Sequence, residues 1–72
     1  MSDVNTIRIT VDGFPEDIPA GLDLAALLEL RGESAKITIV EHNGRYVKAG
    51  DLTAMELREG DRVEIILPAF GG

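Results

Sequence analysis

Leu57-Arg58-Glu59-Gly60-Asp61-Arg62-Val63-Glu64-Ile65-Ile66-Leu67-Pro68-Ala69-Phe70-Gly71-Gly72 decides the reading of this chain. Glu59-Gly60-Asp61 is a tight turn by composition. Arg62 to Leu67 alternates behind it, with Val63, Ile65 and Leu67 on one face and Glu64 and Ile66 on the other. Such β-branched alternation predicts a strand. Pro68 has no backbone donor and should end the ladder. Beyond it the chain closes on a short tail: a small residue, a phenylalanine and two glycines. The remaining residues read as a scaffold that holds this strand and presents its tail.

Upstream, Thr6 to Val11 alternates in the same way, with Ile7, Ile9 and Val11 on one face. Asp12-Gly13 after it is a strong two-residue hairpin signal. The return strand, Phe14 to Pro19, contains Pro15 and Pro19, which suits a sheet edge. Asp23 is a good helix N-cap, and Leu24, Leu27 and Leu28 follow at helical spacing, with Leu30 beside the stripe. Leu22 and Leu27 are placed as a hydrophobic staple around that cap. Arg31 suits the last turn and Gly32 the residue beyond the helix end. A helix of about eight or nine residues is marginal alone, so its leucine stripe should pack on a sheet.

Lys36 to Glu41 reads as another strand, built on Ile37, Ile39 and Val40. His42-Asn43-Gly44 turns the chain into a short return strand, Arg45 to Lys48. Ala49-Gly50-Asp51 should break regular structure, and Leu52 to Leu57 leave a helical turn and a loop both open, with Leu52, Met55 and Leu57 as core plugs. Two hairpins separated by a helix, then a last strand, predict an α+β fold: one mixed sheet of four to five strands with a helix packed across one face.

Composition narrows the function. The chain has 72 residues, enough for one small domain and one modest core rather than a deep cleft. Cysteine is absent, which excludes disulfides, zinc–thiolate sites, iron–sulfur clusters and a persulfide on the chain itself. Thirteen acids against seven bases leave no basic face for nucleic acid, so none is expected as a partner. No apolar run reaches the roughly 20 residues that span a bilayer, and no signal peptide is visible, so a cytoplasmic protein with no membrane partner is expected. There is no phosphate-binding glycine loop, metal cluster or Ser/His/Asp set, so no catalytic or metal-binding residue is assigned. His42, with only Glu41 beside it, reads as a solvated turn residue.

The order of elements resembles the ubiquitin-like β-grasp fold. Asn43-Gly44, the Gly60-Asp61-x-Val63 turn into a strand, and the terminal Gly71-Gly72 together resemble the sulfur-carrier proteins of that fold. These are the thiamine sulfur carrier (ThiS) and the small subunit of molybdopterin synthase (MoaD). The length and Asn43-Gly44 favour the thiamine group. Pro68 resembles the proline-rich tails of the molybdopterin group, and Phe70 is bulkier than the residue usual in either.

The resemblance implies a β-grasp domain over residues 1–67 and a flexible tail over 68–72. It implies that the Gly72 carboxylate is adenylated by an ATP-using partner resembling ubiquitin-activating enzymes. The acyl-adenylate then becomes a thiocarboxylate that donates sulfur in cofactor biosynthesis, thiamine thiazole foremost. Further partners implied are a sulfur donor such as a cysteine desulfurase, and a sulfur-accepting synthase: thiazole synthase or the large subunit of molybdopterin synthase. The chain would bind no cofactor itself and would be a protein co-substrate rather than an enzyme. A molybdopterin carrier and a ubiquitin-like modifier conjugated through Gly72 are the alternatives, followed by a module acting non-covalently.

The residues of the tail suit that chemistry. Pro68 to Gly72 spans at most roughly 17 Å when extended, enough to cross the lip of a partner's nucleotide pocket. Gly71 and Gly72 lack a Cβ, so they pass a narrow channel and leave the terminal carbonyl open to attack. Phe70 has two roles open, an anchor in a partner's groove or a side chain folded onto the sheet edge. Ile66, on the face away from the helix, either docks a partner or packs locally against Val40 or another strand neighbour.

Overall fold

The computed structural model describes residues 5–68. Five strands, one helix and one 3₁₀ segment run in the order β1 (Thr6–Val11), β2 (Phe14–Pro19), α1 (Leu24–Leu30), β3 (Ile39–His42), β4 (Arg45–Val47), the 3₁₀ segment Ala49–Ala54, and β5 (Arg62–Ile66). The strands form one mixed sheet in the order β2-β1-β5-β3-β4. The last strand therefore lies at the centre, parallel to β1 and antiparallel to β3.

Each hairpin turns on two residues. Val11 pairs with Phe14 across Asp12-Gly13, and His42 pairs with Arg45 across Asn43-Gly44. Both central residues of each turn have positive φ: 52° at Asp12 and Asn43, 85° at Gly13 and 83° at Gly44. That is the turn whose twist matches the flanking strands, and it explains an Asx-Gly pair at both places.

Asp23 caps α1 by accepting from the Ala26 amide at 2.8 Å. At the other end the Glu33 amide reaches Leu28 O and the Gly32 amide reaches Glu29 O. This paired closure needs the left-handed φ of +74° that Gly32 supplies. Arg31 is the C-cap residue and its guanidinium pairs with Glu16 of β2. The buried face of α1 is Leu24, Leu27 and Leu28; Leu30 is exposed. These leucines meet Ile9 and Val11 of β1, Ile18 of β2, Val40, Val47 and Val63 in the core. Leu52 and Leu57 complete it, and Leu22, Met55 and Ile65 pack at its margin.

Three boundaries differ from expectation. β3 begins at Ile39 rather than Lys36. Ser34 captures the preceding segment: its carbonyl accepts from the Ile37 and Thr38 amides and from the Thr38 hydroxyl, and its Oγ accepts from the Lys36 amide. Local serine and threonine bonds thus replace ladder bonds. β4 stops at Val47, because Lys48 is the N-cap of the 3₁₀ segment and its carbonyl accepts from the Asp51 amide. β5 stops at Ile66, and Leu67 is 58% exposed rather than in the core. Its would-be partner on β3 would lie before Ile39, in the serine-bound turn, so no ladder remains there for it to join.

Candidate functional site

Ile66 is the last residue of β5 and lies opposite Ile39 of β3. Directly opposed residues share a sheet face, so the two isoleucines sit together. Val40 and Ile65 form the adjacent pair and belong to the helix-covered side, with Val40 in the core and Ile65 packed against it. Ile66 and Ile39 therefore face outward, at 40% and 38% exposure. Packing of Ile66 against Val40 is excluded, because these residues occupy opposite faces; its strand neighbour on the outer face is Ile39. Tyr46 of β4, opposite Glu41, adds an exposed aromatic ring to the same outer face.

The same face carries Glu41 directly opposite Glu64. Like charges in that position destabilise a sheet slightly, so the pair makes this part of the outer face acidic at no gain in stability. Ile37, Ile39, Tyr46 and Pro68 line a shallow groove of about 260 Å³ beside the point where the chain leaves the sheet. Exposed Ile37, Ile39 and Tyr46, together with Lys36, thus border the point where the chain leaves the sheet. Gly72, Gly71 and Phe70 lie outside the described residues.

The two internal segments singled out in the sequence, Asn43-Gly44 and Gly60-Asp61, touch. Asn43 Nδ2 donates to Asp61 Oδ1 at 3.2 Å, and Asn43 Oδ1 accepts from the Arg62 amide at 2.8 Å. Asp61 Oδ2 lies 2.7 Å from His42 Nε2 and accepts from the Arg58 amide at 2.9 Å. His42 is thus not a solvated turn residue. It ends β3, and its side chain is 15% exposed against the 12% of Asp61. Partial burial pushes the Asp61 carboxyl up, but the hydrogen bonds from His42, the Arg58 amide and Asn43 outweigh it and hold the carboxyl below its ordinary value. Nothing in the linear sequence announces this cluster, since His42 and Asp61 lie 19 residues apart. The available signal was compositional: Asn and Asp at turns bond to nearby main chain.

On the other side of β5, the Asp12 amide donates to Val63 O and Asp12 Oδ1 accepts from the Ile65 amide, both at 2.9 Å. Glu59 Oε1 accepts from the Arg8 amide, and the Gly60 amide donates to Arg8 O. These groups bond to main chain, which leaves them a structural role. Among the described residues there is no cluster of three metal-ligating side chains, and no helix is long and apolar enough to cross a membrane.

A crystal structure of a thiamine biosynthesis protein (ThiS) from Geobacter metallireducens is similar to this chain, with 29% identity and a TM-score of 0.79. The match covers 92% of this chain and 100% of that one. The solution structure of a computationally designed protein based on human erythrocytic ubiquitin shares the fold alone, at 18% identity and a TM-score of 0.52, over 93% of this chain and 95% of the other. No curated protein matches the sequence. The model of the ThiS family matches residues 4–72, which takes in both hairpins, the turn into β5 and the terminal glycines. The mixed five-stranded sheet with its single helix is the ubiquitin-like β-grasp, and the chain belongs to the ThiS family.

Proposed function

We propose that this protein is a sulfur carrier whose reactive group is the Gly72 carboxylate. The observation that carries the reading is the family match, which runs through Gly72. In the proposed cycle the carboxylate attacks the α-phosphate of ATP in a partner's active site, giving an acyl-adenylate and pyrophosphate. Sulfide then displaces AMP and leaves a thiocarboxylate; with a persulfide as donor, the acyl disulfide formed first is cleaved by a thiol, which leaves as the disulfide with the donor's sulfur. A carboxylate is a poor electrophile, and the adenylate supplies the leaving group it lacks. The chain is a co-substrate in this cycle, and the nucleotide is held by the partner.

Residues 1–67 serve as the domain and 68–72 as the reactive tail. Ile66, with Ile39 and Tyr46, docks the activating partner, while Glu41 and Glu64 meet basic groups at the rim. Phe70 anchors in the partner's channel and Gly71 threads its narrowest part. A sulfur donor and a sulfur-accepting synthase complete the set of partners, in the cytoplasm. The thiazole of thiamine is the favoured destination, because the similar crystal structure is that of a thiamine biosynthesis protein.

The test incubates the chain with ATP, the cognate activating enzyme and a sulfur donor, and reads intact mass. Exchange of one oxygen for sulfur is expected, and none in a chain lacking Gly72. Equal modification of both chains would sink the reading. Conjugates to protein lysines would point instead to a modifier, and sulfur delivered to a molybdopterin precursor to the other carrier group.

A further inference from the structure

Asp12 and Asn43 are the two non-glycine residues with positive φ among those described, and both have φ of 52°. Each opens a two-residue hairpin loop and is followed by glycine. Each also meets β5, one from the β1 side and one from the β3 side. The Asp12 amide donates to Val63 O at 2.9 Å while its Oδ1 accepts from the Ile65 amide at 2.9 Å. The Asn43 amide donates to Arg62 O at 2.7 Å while its Oδ1 accepts from the Arg62 amide at 2.8 Å. Two hairpins far apart in the chain thus hold the same strand by the same device.

The Asp12 bond has a specific geometric meaning. In the parallel β1–β5 ladder the Thr10 amide bonds Asp61 O and the Asp12 amide bonds Val63 O. The next rung is due between the Ile65 amide and the main-chain carbonyl of residue 12. Asp12 has already left the strand for the turn, and its side-chain oxygen takes that acceptor position. The ladder gains one rung beyond the end of β1, immediately before Ile66. A slip of β5 by one residue would put Ile66 in the core and Ile65 outside, and would move the tail's starting point by about 3.3 Å.

We propose that Asp12 and Asn43 are positioning residues: side-chain clamps that hold β5 from both sides and so fix the point and face from which the tail departs. The consequence for tail chemistry rests on the sulfur-carrier reading; the clamp itself does not.

The test uses full-length chains. Asp12→Gly and Asp12→Asn both tolerate the left-handed φ, but only Asn keeps the acceptor. In Asp12→Gly the Ile65 amide should exchange with solvent about tenfold faster relative to the Val40 amide, while Asp12→Asn restores wild-type protection. Ile65 and Val40 accelerating together, or Asn behaving as Gly does, would overturn the clamp. If Asp12→Gly does not fold, Asn43→Gly gives the same comparison at the Arg62 amide. In adenylation by the cognate activating enzyme, Asp12→Gly should lower kcat about tenfold with KM little changed, and Asp12→Asn should recover it. An unchanged kcat would overturn the positioning role. A wild-type chain that is never adenylated would refute the sulfur-carrier reading instead, and the exchange data would still decide the clamp.

Discussion

Asn43 Nδ2 donates to Asp61 Oδ1 at 3.2 Å, and this bond joins the β3–β4 turn to the turn that launches β5. Asn43 combines a main-chain conformation that few residues tolerate with two side-chain bonds to the segment it faces. Asn43→Ala loses both bonds and keeps the φ penalty. It should destabilise the domain by about 2–3 kcal/mol. Asn43→Gly relieves the φ penalty and should lose less. Urea unfolding of the two variants checks the order; equal losses would mean that backbone strain plays no part.

Asp61 sets an acid limit on stability. Its folded-state carboxyl lies below the ordinary value, so its contribution is complete above the unfolded value of about 3.9 and fades as pH falls through the folded one. Asp61→Asn should therefore be less stable than the wild type at neutral pH, and the gap should narrow below about pH 4. Unfolding free energies of both chains between neutral and acid pH provide the measurement. A gap that stays constant to the lowest pH would show that Asp61 does not titrate differently in the folded state.

Leu27 is fully buried at the centre of the helix–sheet contact. Leu27→Ala should cost about 2–5 kcal/mol. A core this small rarely supplies more than about 3–5 kcal/mol of net stability, so a large part of the population should be unfolded at about 37 °C. Leu30→Ala, on the exposed flank of the same helix, should stay within about 0.5 kcal/mol. Thermal melts by circular dichroism distinguish them directly.

Ile66→Ser and Ile39→Ser separate docking from folding. Both side chains are part-exposed on the outer face, so each loss of stability should remain under about 1 kcal/mol. If this face receives the activating enzyme, KM for the chain should rise about tenfold in either variant. Unchanged adenylation kinetics in both would move the docking surface elsewhere.

How far the sequence could be read depended on how local each determinant was. β1, the Asp12-Gly13 turn and α1 with Asp23 and Gly32 at its ends are specified by residues within a few positions of one another, and they were legible. The start of β3 was not, because Ile37 and Ile39 alternate as a strand would, while Ser34 holds Ile37 and Thr38 in a turn. Leu67 misled for the same reason: its alternation continues past the last β3 residue able to pair with it. Ile66 was placed on the outer face by periodicity alone, but its partner Ile39 required the register. The His42–Asp61 and Asp12–Ile65 bonds came from topology, which sets residues 19 and 53 positions apart side by side.

The central position of β5 also has a mechanical consequence. A pull on Pro68 along the strand axis loads β5 lengthwise. Its bonds to β1 on one side and β3 on the other then bear the force together, in shear, with the Asp12 and Asn43 bonds in the same load path. A force applied through Pro68 therefore meets the body of the protein in shear, and the sheet resists being unzipped from that end.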